Sequence, residues 1–313
     1  MDDTAFVFPG QGSQQVGMGL DLLRQYPDRV RPYYESADEI LGMKLSRLCW
    51  EGPQEALQST SVTQPAVFLT SVVTLAVLTE HGLRPGVVAG HSLGEYAALV
   101  CAGVLEWTDA LRLVRLRGQL MEAVNERTPG RMAAVLGLDL AEVEDLCLLT
   151  ERVVEVANDN APGQVVVSGT VDGVEALSEV ARAAGATRVV ALPVGAPFHC
   201  SLMAEVEDEF ALALDGTTFR DPVLPVISSV TAAPLTTAAQ TRSVLRRQLT
   251  GRVRWTEAVR AMAREGAGRF VEVGPGKVLG GLCRRAVPGS AAHATGTLES
   301  LSRTVETSRP ALR

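Results

Sequence analysis

The chain alternates short, uniformly apolar runs with longer stretches of helical spacing. "TAFVFPGQGSQ" opens on one such run: Ala5 to Phe8 has no polar position and stops at Pro9-Gly10. This predicts a strand buried on both faces and ended by a turn. A long helix is predicted next, opened by Gln64-Pro65 with Pro65 at its first position. "AVFLTSVVTLAVL" from Ala66 carries it, and His81-Gly82 closes it as a glycine stop with a basic neighbour. "GVVAG" reads as a parallel-type strand, a helix starts at Leu93, and another runs from about Asp109 to Val124. Strand, helix, strand, helix in that order predicts an α/β domain with a parallel-sheet core.

The pattern changes at "NERTPGRM", a polar Pro-Gly break from Asn125 to Met132. Beyond it the spacing predicts strand (132–138), helix (141–149), strand (153–157), strand (164–168), helix (174–184) and strand (187–192). That βαββαβ order is the split-βαβ, ferredoxin-like unit. It reads as an insertion, because mixed strand and helix resume in "PVISSV" and "RFVEVGPG". The expected division is a large domain from 1–127 and 195–288, a small subdomain from 128–194, and a loosely patterned tail from 289–313. No internal repeat or low-complexity segment is evident.

Composition narrows the class. With 313 residues, 46% of them hydrophobic, the chain can bury a sizeable core. Only 4% are aromatic, so aliphatic and alanine packing dominates. A net charge of −7 favours solubility and argues against nucleic acid as the main partner. Five scattered cysteines without a C-x-x-C pair fit inert thiols in a reducing cytosol, not a disulfide framework or zinc site. No basic region followed by an apolar stretch marks a signal peptide. The apolar stretch from Ala66 reads as too short to span a bilayer and therefore as a core helix. A cytoplasmic protein, away from membranes, is expected.

The chemistry begins at "VVAGHSLGEYAALV" (87–100). Gly90-His91-Ser92-Leu93-Gly94 matches G-x-S-x-G between a strand and a helix, the nucleophile-elbow context. A turn that tight needs residues without bulk two places either side of the serine. It lifts the hydroxyl to a helix N-terminus, where backbone N–H groups can meet a developing oxyanion. The plain alternative is an ordinary turn that uses glycine and serine as turn residues. A serine nucleophile needs a base, and the chain has four histidines. His81 ends a helix, His91 points away from its neighbour's hydroxyl on a sharp turn, and His293 lies in the tail. His199, in "VGAPFHCSLM", remains as the candidate base, against a purely structural histidine.

Arg117 stands on an apolar helical stripe, with Leu113, Val114, Leu120 and Met121 at i−4, i−3, i+3 and i+4. A guanidinium there needs an anion, either an internal Asp or Glu or a substrate carboxylate held bidentately. Arg112 and Arg115 face polar or mixed neighbours and read as solvated surface charges.

Taken together, "FVFPGQGSQ", "GHSLGEY", "VRLRGQLM", "NDNAPGQVVVSG", "PFHCSLM", "RQL…W" and "VEVGPGKVL" resemble the malonyl-CoA:acyl carrier protein transacylase family. That family includes discrete, trans-acting acyltransferases of polyketide synthases. The resemblance covers nearly the whole chain in family order. It implies a hydrolase-like α/β domain with an inserted ferredoxin-like subdomain. It also implies that Ser92 carries the acyl ester with His199 as base, and that a main-chain carbonyl near Gln248 holds the His199 ring. Gln11 and Leu93 are then expected to supply the oxyanion-hole N–H groups. The implied substrate-binding set is Arg117, Met121, Phe198, Asn160 and Gln248. Arg117 takes the malonyl carboxylate, Asn160 and the "PGQ" turn lie where the thioester arm enters, and Phe198 crowds an α-methyl branch.

The implied reaction is ping-pong transfer of malonyl from malonyl-CoA to a carrier-protein phosphopantetheine thiol, with no cofactor and no metal. It would supply extender units for fatty-acid or polyketide synthesis by a chain expected to be monomeric. Alternatives are a polyketide acyltransferase for a different acyl unit, an α/β-hydrolase-type esterase or thioesterase, and a non-catalytic docking relative. The esterase needs an acid between Ser92 and His199, and Asp172 lies in that interval. Arg284 and Arg285 are candidates for receiving an acidic carrier, or are ordinary surface charge.

Overall fold

A computed structural model of the chain describes residues 3–308. Its strands are β1 (Thr4–Phe8), β2 (Val87–Gly90), β3 (Gly130–Leu136), β4 (Val154–Ala161), β5 (Gln164–Thr170) and β6 (Arg188–Ala191). They continue with β7 (Val226–Ile227), β8 (Pro234–Leu235), β9 (Val253–Arg254), β10 (Arg269–Glu272) and β11 (Ala291–Ala294). A six-stranded sheet has the order β11-β10-β1-β2-β7-β8, parallel except for the β7–β8 pair. β1 is buried throughout, with Phe6 and Phe8 facing one core layer and Ala5 and Val7 the layer that holds Trp255. Burial on both faces explains why that run has no polar position.

The segment after the Pro-Gly break forms a five-stranded sheet, β6-β3-β5-β4-β9. Its first four strands pair antiparallel. The helices Leu140–Leu149 and Val171–Ala183 bury Val143, Val174 and Leu177 against one face of it. On the other face, Met132, Ala157 and Val166 join the core of the large sheet. β9, from well beyond residue 194, adds to β4 in parallel. The edge of the small sheet is thus completed by the larger part of the chain, which the sequence division did not anticipate.

The helix expected to begin at Pro65 begins at Thr60 and runs to Glu80. Pro65 therefore lies inside it, where its ring removes the N–H that the Ser61 carbonyl would accept. Arg115 Nη1, from the helix Trp107–Arg127, donates to that carbonyl instead. Arg115 is half-buried and spoken for, not the solvated charge its helical neighbours suggested. At 21 residues the Thr60–Glu80 helix is long and apolar enough to cross a bilayer, more than the sequence reading allowed. Even so, 83% of its most apolar window is buried inside the fold. Gly118 brings the two helices together, since a Cβ there would lie 2.7 Å from the Thr60 carbonyl oxygen. That approach places Arg117, one residue earlier, against the buried helix.

The expected loose tail is another correction. Residues 291–294 form β11 on the edge of the large sheet, and the helix Leu298–Ser308 buries Leu301, Thr304 and Val305. Its pattern was weak because a four-residue Ala/His strand and a narrow buried stripe give little periodicity. Residues 309–313 lie outside the described residues.

Arg115→Met is expected to destabilise the fold by about 1–3 kcal/mol by orphaning the Ser61 carbonyl, as read by urea denaturation. In a Pro65→Ala background, whose new N–H can take that carbonyl, the same change should cost clearly less. Equal costs in both backgrounds would rule out this pairing.

Candidate active site

Three glycines let the end of β1 and the turn after β2 occupy one small space. A Cβ on Gly90 would fall 1.9 Å from the Gly94 carbonyl carbon, and one on Gly94 would fall 2.0 Å from the Phe8 carbonyl oxygen. One on Gly10 would sit 2.6 Å from the His91 carbonyl oxygen. These approaches admit no side chain, which accounts for the glycine in both motifs. Ser92 itself has φ 52°, in the left-handed region that L-residues seldom adopt. The strained turn leaves its hydroxyl partly exposed just before the helix Gly94–Cys101.

His199 also has a positive φ, 58°, at the end of a Pro-containing loop. Its Nε2 lies 2.7 Å from Ser92 Oγ, across 107 residues of sequence. Its Nδ1 lies 3.0 Å from both the Gln248 and the Gly251 carbonyl oxygens. Carbonyls only accept, so Nδ1 carries the proton and Nε2 offers its lone pair to the serine hydroxyl. Among the described residues no carboxylate holds the ring. Asp172 is on the surface, ion-paired with Arg152. Burial, and then the Arg117 charge, push the His199 pKa down to about 3, so the ring is a neutral base at ordinary pH.

Arg117 is 1% exposed. It donates from Nη2 to Ser92 Oγ at 3.1 Å and from Nη1 to Gln64 Oε1 at 2.9 Å, while its Nε has no acceptor. The guanidinium lies over the Tyr96 ring, 5.9 Å from the centroid. Ion pairs of arginine are frequent among the described residues, yet none involves Arg117. No Asp or Glu among the described residues makes contact with Arg117, although Glu95 lies near enough for a charge on it to act on the guanidinium.

A cavity of about 260 Å³ opens over Ser92 and His199, lined also by Gln11, Met132, Asn160 and Phe198 among others; Arg117 is not part of its lining and meets it through the hydrogen bond to Ser92 Oγ. The Gln11 and Leu93 backbone N–H groups have no acceptor among the described residues. His91 turns away from Ser92, its Nε2 2.7 Å from Asn160 Oδ1 and its ring edge-on to Trp255. The Pro162-Gly163-Gln164 turn beside Asn160 is held by Arg285, which donates to the Pro162 carbonyl and to Gln164 Oε1. Arg284 reaches the Ala292 carbonyl, so neither arginine is wholly free.

Besides Arg117, two expected substrate contacts lie outside the cavity lining. Met121 is buried behind Arg117, where its sulfur accepts from Gln64 Nε2 at 3.3 Å. Gln248 is fully buried and meets the site only from behind, through its carbonyl on His199 and its Nε2 on the Ser92 carbonyl at 3.2 Å. Both positions follow from burial: neither side chain reaches the cavity. Sequence reasoning missed Gln64, read only as a helix opener, although "TQP" offered a polar residue ahead of a long apolar run. It also missed the Gly251 carbonyl, for which no side-chain signal could exist.

The rate at which a serine-directed fluorophosphonate labels Ser92 should stay level as pH falls through 6.5, dropping only below about pH 5. An acid limb centred near 6.5 would mean that His199 is not the depressed, buried base described. The same depression bears on stability. The unfolded chain protonates this ring near 6.5 and the folded one only near 3, so its contribution is fully present above 6.5 and is lost as pH falls through that window.

Comparison with known proteins gives a consistent likeness. The acyl transferase domain family matches residues 5–305. The malonyl CoA-acyl carrier protein transacylase of Escherichia coli O157:H7 is 46% identical over 291 residues, covering 92% of this chain and 94% of that protein. A solved acyl carrier protein S-malonyltransferase from Vibrio cholerae superposes with a TM-score of 0.93 at 43% identity, covering 97% of this chain and all of that one. A malonyl-transacylase solved with its type II polyketide acyl-carrier protein superposes at 0.94 and 41% identity, covering 97% and 99%.

Proposed function

The chain belongs to the acyl transferase domain family, alongside the malonyl CoA-acyl carrier protein transacylases, and from that premise we propose how it performs malonyl transfer. Ser92 takes the malonyl group from malonyl-CoA as an oxygen ester and passes it to the phosphopantetheine thiol of an acyl carrier protein. One observation carries this reading: the Ser92 hydroxyl is held between a neutral imidazole and a buried guanidinium that lacks a carboxylate.

His199 Nε2 takes the hydroxyl proton as Oγ attacks the thioester carbonyl. The tetrahedral oxyanion collects at the Gln11 and Leu93 N–H groups, beside the positive end of the elbow helix. The C–S bond breaks, and the proton on His199 goes to the departing CoA sulfur. The carrier thiol then repeats the sequence in reverse and leaves Ser92 free.

Arg117, which no internal carboxylate contacts among the described residues, holds the malonyl carboxylate. The pairing also acts on the base. Arg117 is one of the causes of the depressed His199 pKa, so a carboxylate that neutralises it makes His199 a stronger base when the right substrate is bound. An acyl group without a carboxylate forfeits both the contact and that correction. Phe198, buried in the cavity wall, disfavours an α-methyl branch by about 1–3 kcal/mol. Asn160 stands where the pantetheine arm enters.

We read the architecture as a hydrolase-like large domain (1–127 and 195–288, joined by 289–308) carrying a ferredoxin-like subdomain (128–194). The order β6-β3-β5-β4 with two helices on one face supports this. Among the described residues the esterase alternative finds no acidic third member at His199.

Mixing the protein with malonyl-CoA should give a mass increase of one malonyl group on Ser92, absent in Ser92→Ala; an adduct that survives the substitution would remove Ser92 from the mechanism. Arg117→Ala should lower malonyl transfer by roughly 100-fold or more and acetyl transfer far less. Equal losses on both substrates would refute the carboxylate role.

A further inference from the structure

Behind the catalytic pair lies a carboxyl group that the transfer reaction does not use. Glu95, three residues after Ser92, is 0% exposed. Its Oε2 accepts from Gln248 Nε2 at 2.6 Å and from Ser229 Oγ at 2.7 Å. Its Oε1 is buried without a partner, and so is Gln248 Oε1. Two residues already joined by one short hydrogen bond therefore each present an orphaned oxygen. A single proton shared between them would satisfy both acceptor oxygens at once.

We propose that Glu95 is a neutral carboxylic acid in the folded protein, joined to the Gln248 side chain by two hydrogen bonds. Gln248 Nε2–H donates to Glu95 Oε2, and the Glu95 Oε1 hydroxyl donates to Gln248 Oε1. The proton comes from solvent on folding.

The surroundings favour this state. The groups facing Glu95 are the Ser228 and Ser229 hydroxyls, the Gln248 amide, Tyr96 and the Arg117 guanidinium. Burial outweighs the hydrogen bonds and raises the Glu95 pKa. Arg117 lies close enough for a Glu95 charge to act on it, yet the two form no ion pair, and Arg117 Nε is itself an orphan. An ionised Glu95 would attract Arg117, but with no contact between the two that attraction is set against the full desolvation of a buried carboxylate.

A neutral Glu95 has two consequences. The doubly bonded pair fixes Gln248, whose carbonyl orients His199 and whose Nε2 also reaches the Ser92 carbonyl. Glu95 is thus a positioning residue, acting through Gln248. It also leaves the Arg117 charge uncompensated until a substrate carboxylate arrives. This second consequence rests on the transfer reading above; the protonation state does not.

Infrared difference spectroscopy on the resting full-length protein tests the proton directly, with no substrate present. Wild type minus Glu95→Gln at neutral pH should show a protonated-carboxyl C=O band; no such band would overturn the proposal. Gln248→Met should shift that band to higher frequency by removing its acceptor. An unshifted band would also overturn the pairing, and it would do so even if Glu95→Gln failed to fold. In turnover, Glu95→Ala should lower kcat roughly 10- to 100-fold with KM for malonyl-CoA little changed, and Glu95→Gln, which can form both hydrogen bonds, should restore most of it. A Glu95→Gln variant as impaired as Glu95→Ala, or one whose main effect is a lower malonyl-CoA KM, would mean that Glu95 acts as a charge.

Discussion

Placing a guanidinium in the interior without a carboxylate beside it costs several kcal/mol, and proteins seldom leave that cost standing. Arg117 is such a case: its contacts are an amide oxygen, a hydroxyl and an aromatic face. Much of the surrounding structure supports this placement. Gly118 draws its helix against Thr60–Glu80, Arg115 takes up the Ser61 carbonyl that Pro65 leaves without a helix N–H, and Gln64 is held on Arg117. The unsatisfied charge lies within hydrogen-bonding distance of the one hydroxyl that the elbow lifts into the cavity. On the reading proposed above, the site is preorganised for an acyl group ending in an anion, and the fold sustains that preparation through packing elsewhere.

The parts of the site foreseen from sequence were those whose physical demands are local. Glycines flanking Ser92 follow from the crowding of one turn, and the close contacts at Gly90 and Gly94 have that origin. Arg117 could be singled out because four apolar neighbours at helical spacing make a charge conspicuous. His199 emerged by eliminating the other histidines, a route open only because the chain has few. Gln64, Glu95, Ser229 and the Gly251 carbonyl were beyond that reach. Each matters through a partner distant in the sequence, as with the 134 residues between Ser229 and Glu95.

The same division applies to the fold. Strands with continuous apolar runs and helices with clear stops were anticipated within a few residues. The start of the central helix was misplaced because Pro65 was read by its usual preference for a helix start, whereas a tertiary contact makes the interior position tolerable. The small sheet was anticipated as a unit. Its fifth strand was not, because two residues of β9 carry no pattern of their own. That strand lies between Gly251, an acceptor for His199, and Trp255, which packs on His91. The seam between the two sheets is therefore also the frame of the candidate site.

The acceptors for the His199 ring are main-chain oxygens, so the partner that an acidic side chain supplies in many serine enzymes is written here into the path of the chain and not into its letters. No point substitution can delete a peptide carbonyl. Exchange at 248 alters the anchorage of its carbonyl but leaves the acceptor atom in the chain, and position 251 is held to glycine because a Cβ there would lie 2.7 Å from the Arg247 carbonyl oxygen. Gaining or losing a single residue in that bend would instead throw both oxygens out of register at once, so these acceptors are harder to erase by exchange than to displace by a change of length.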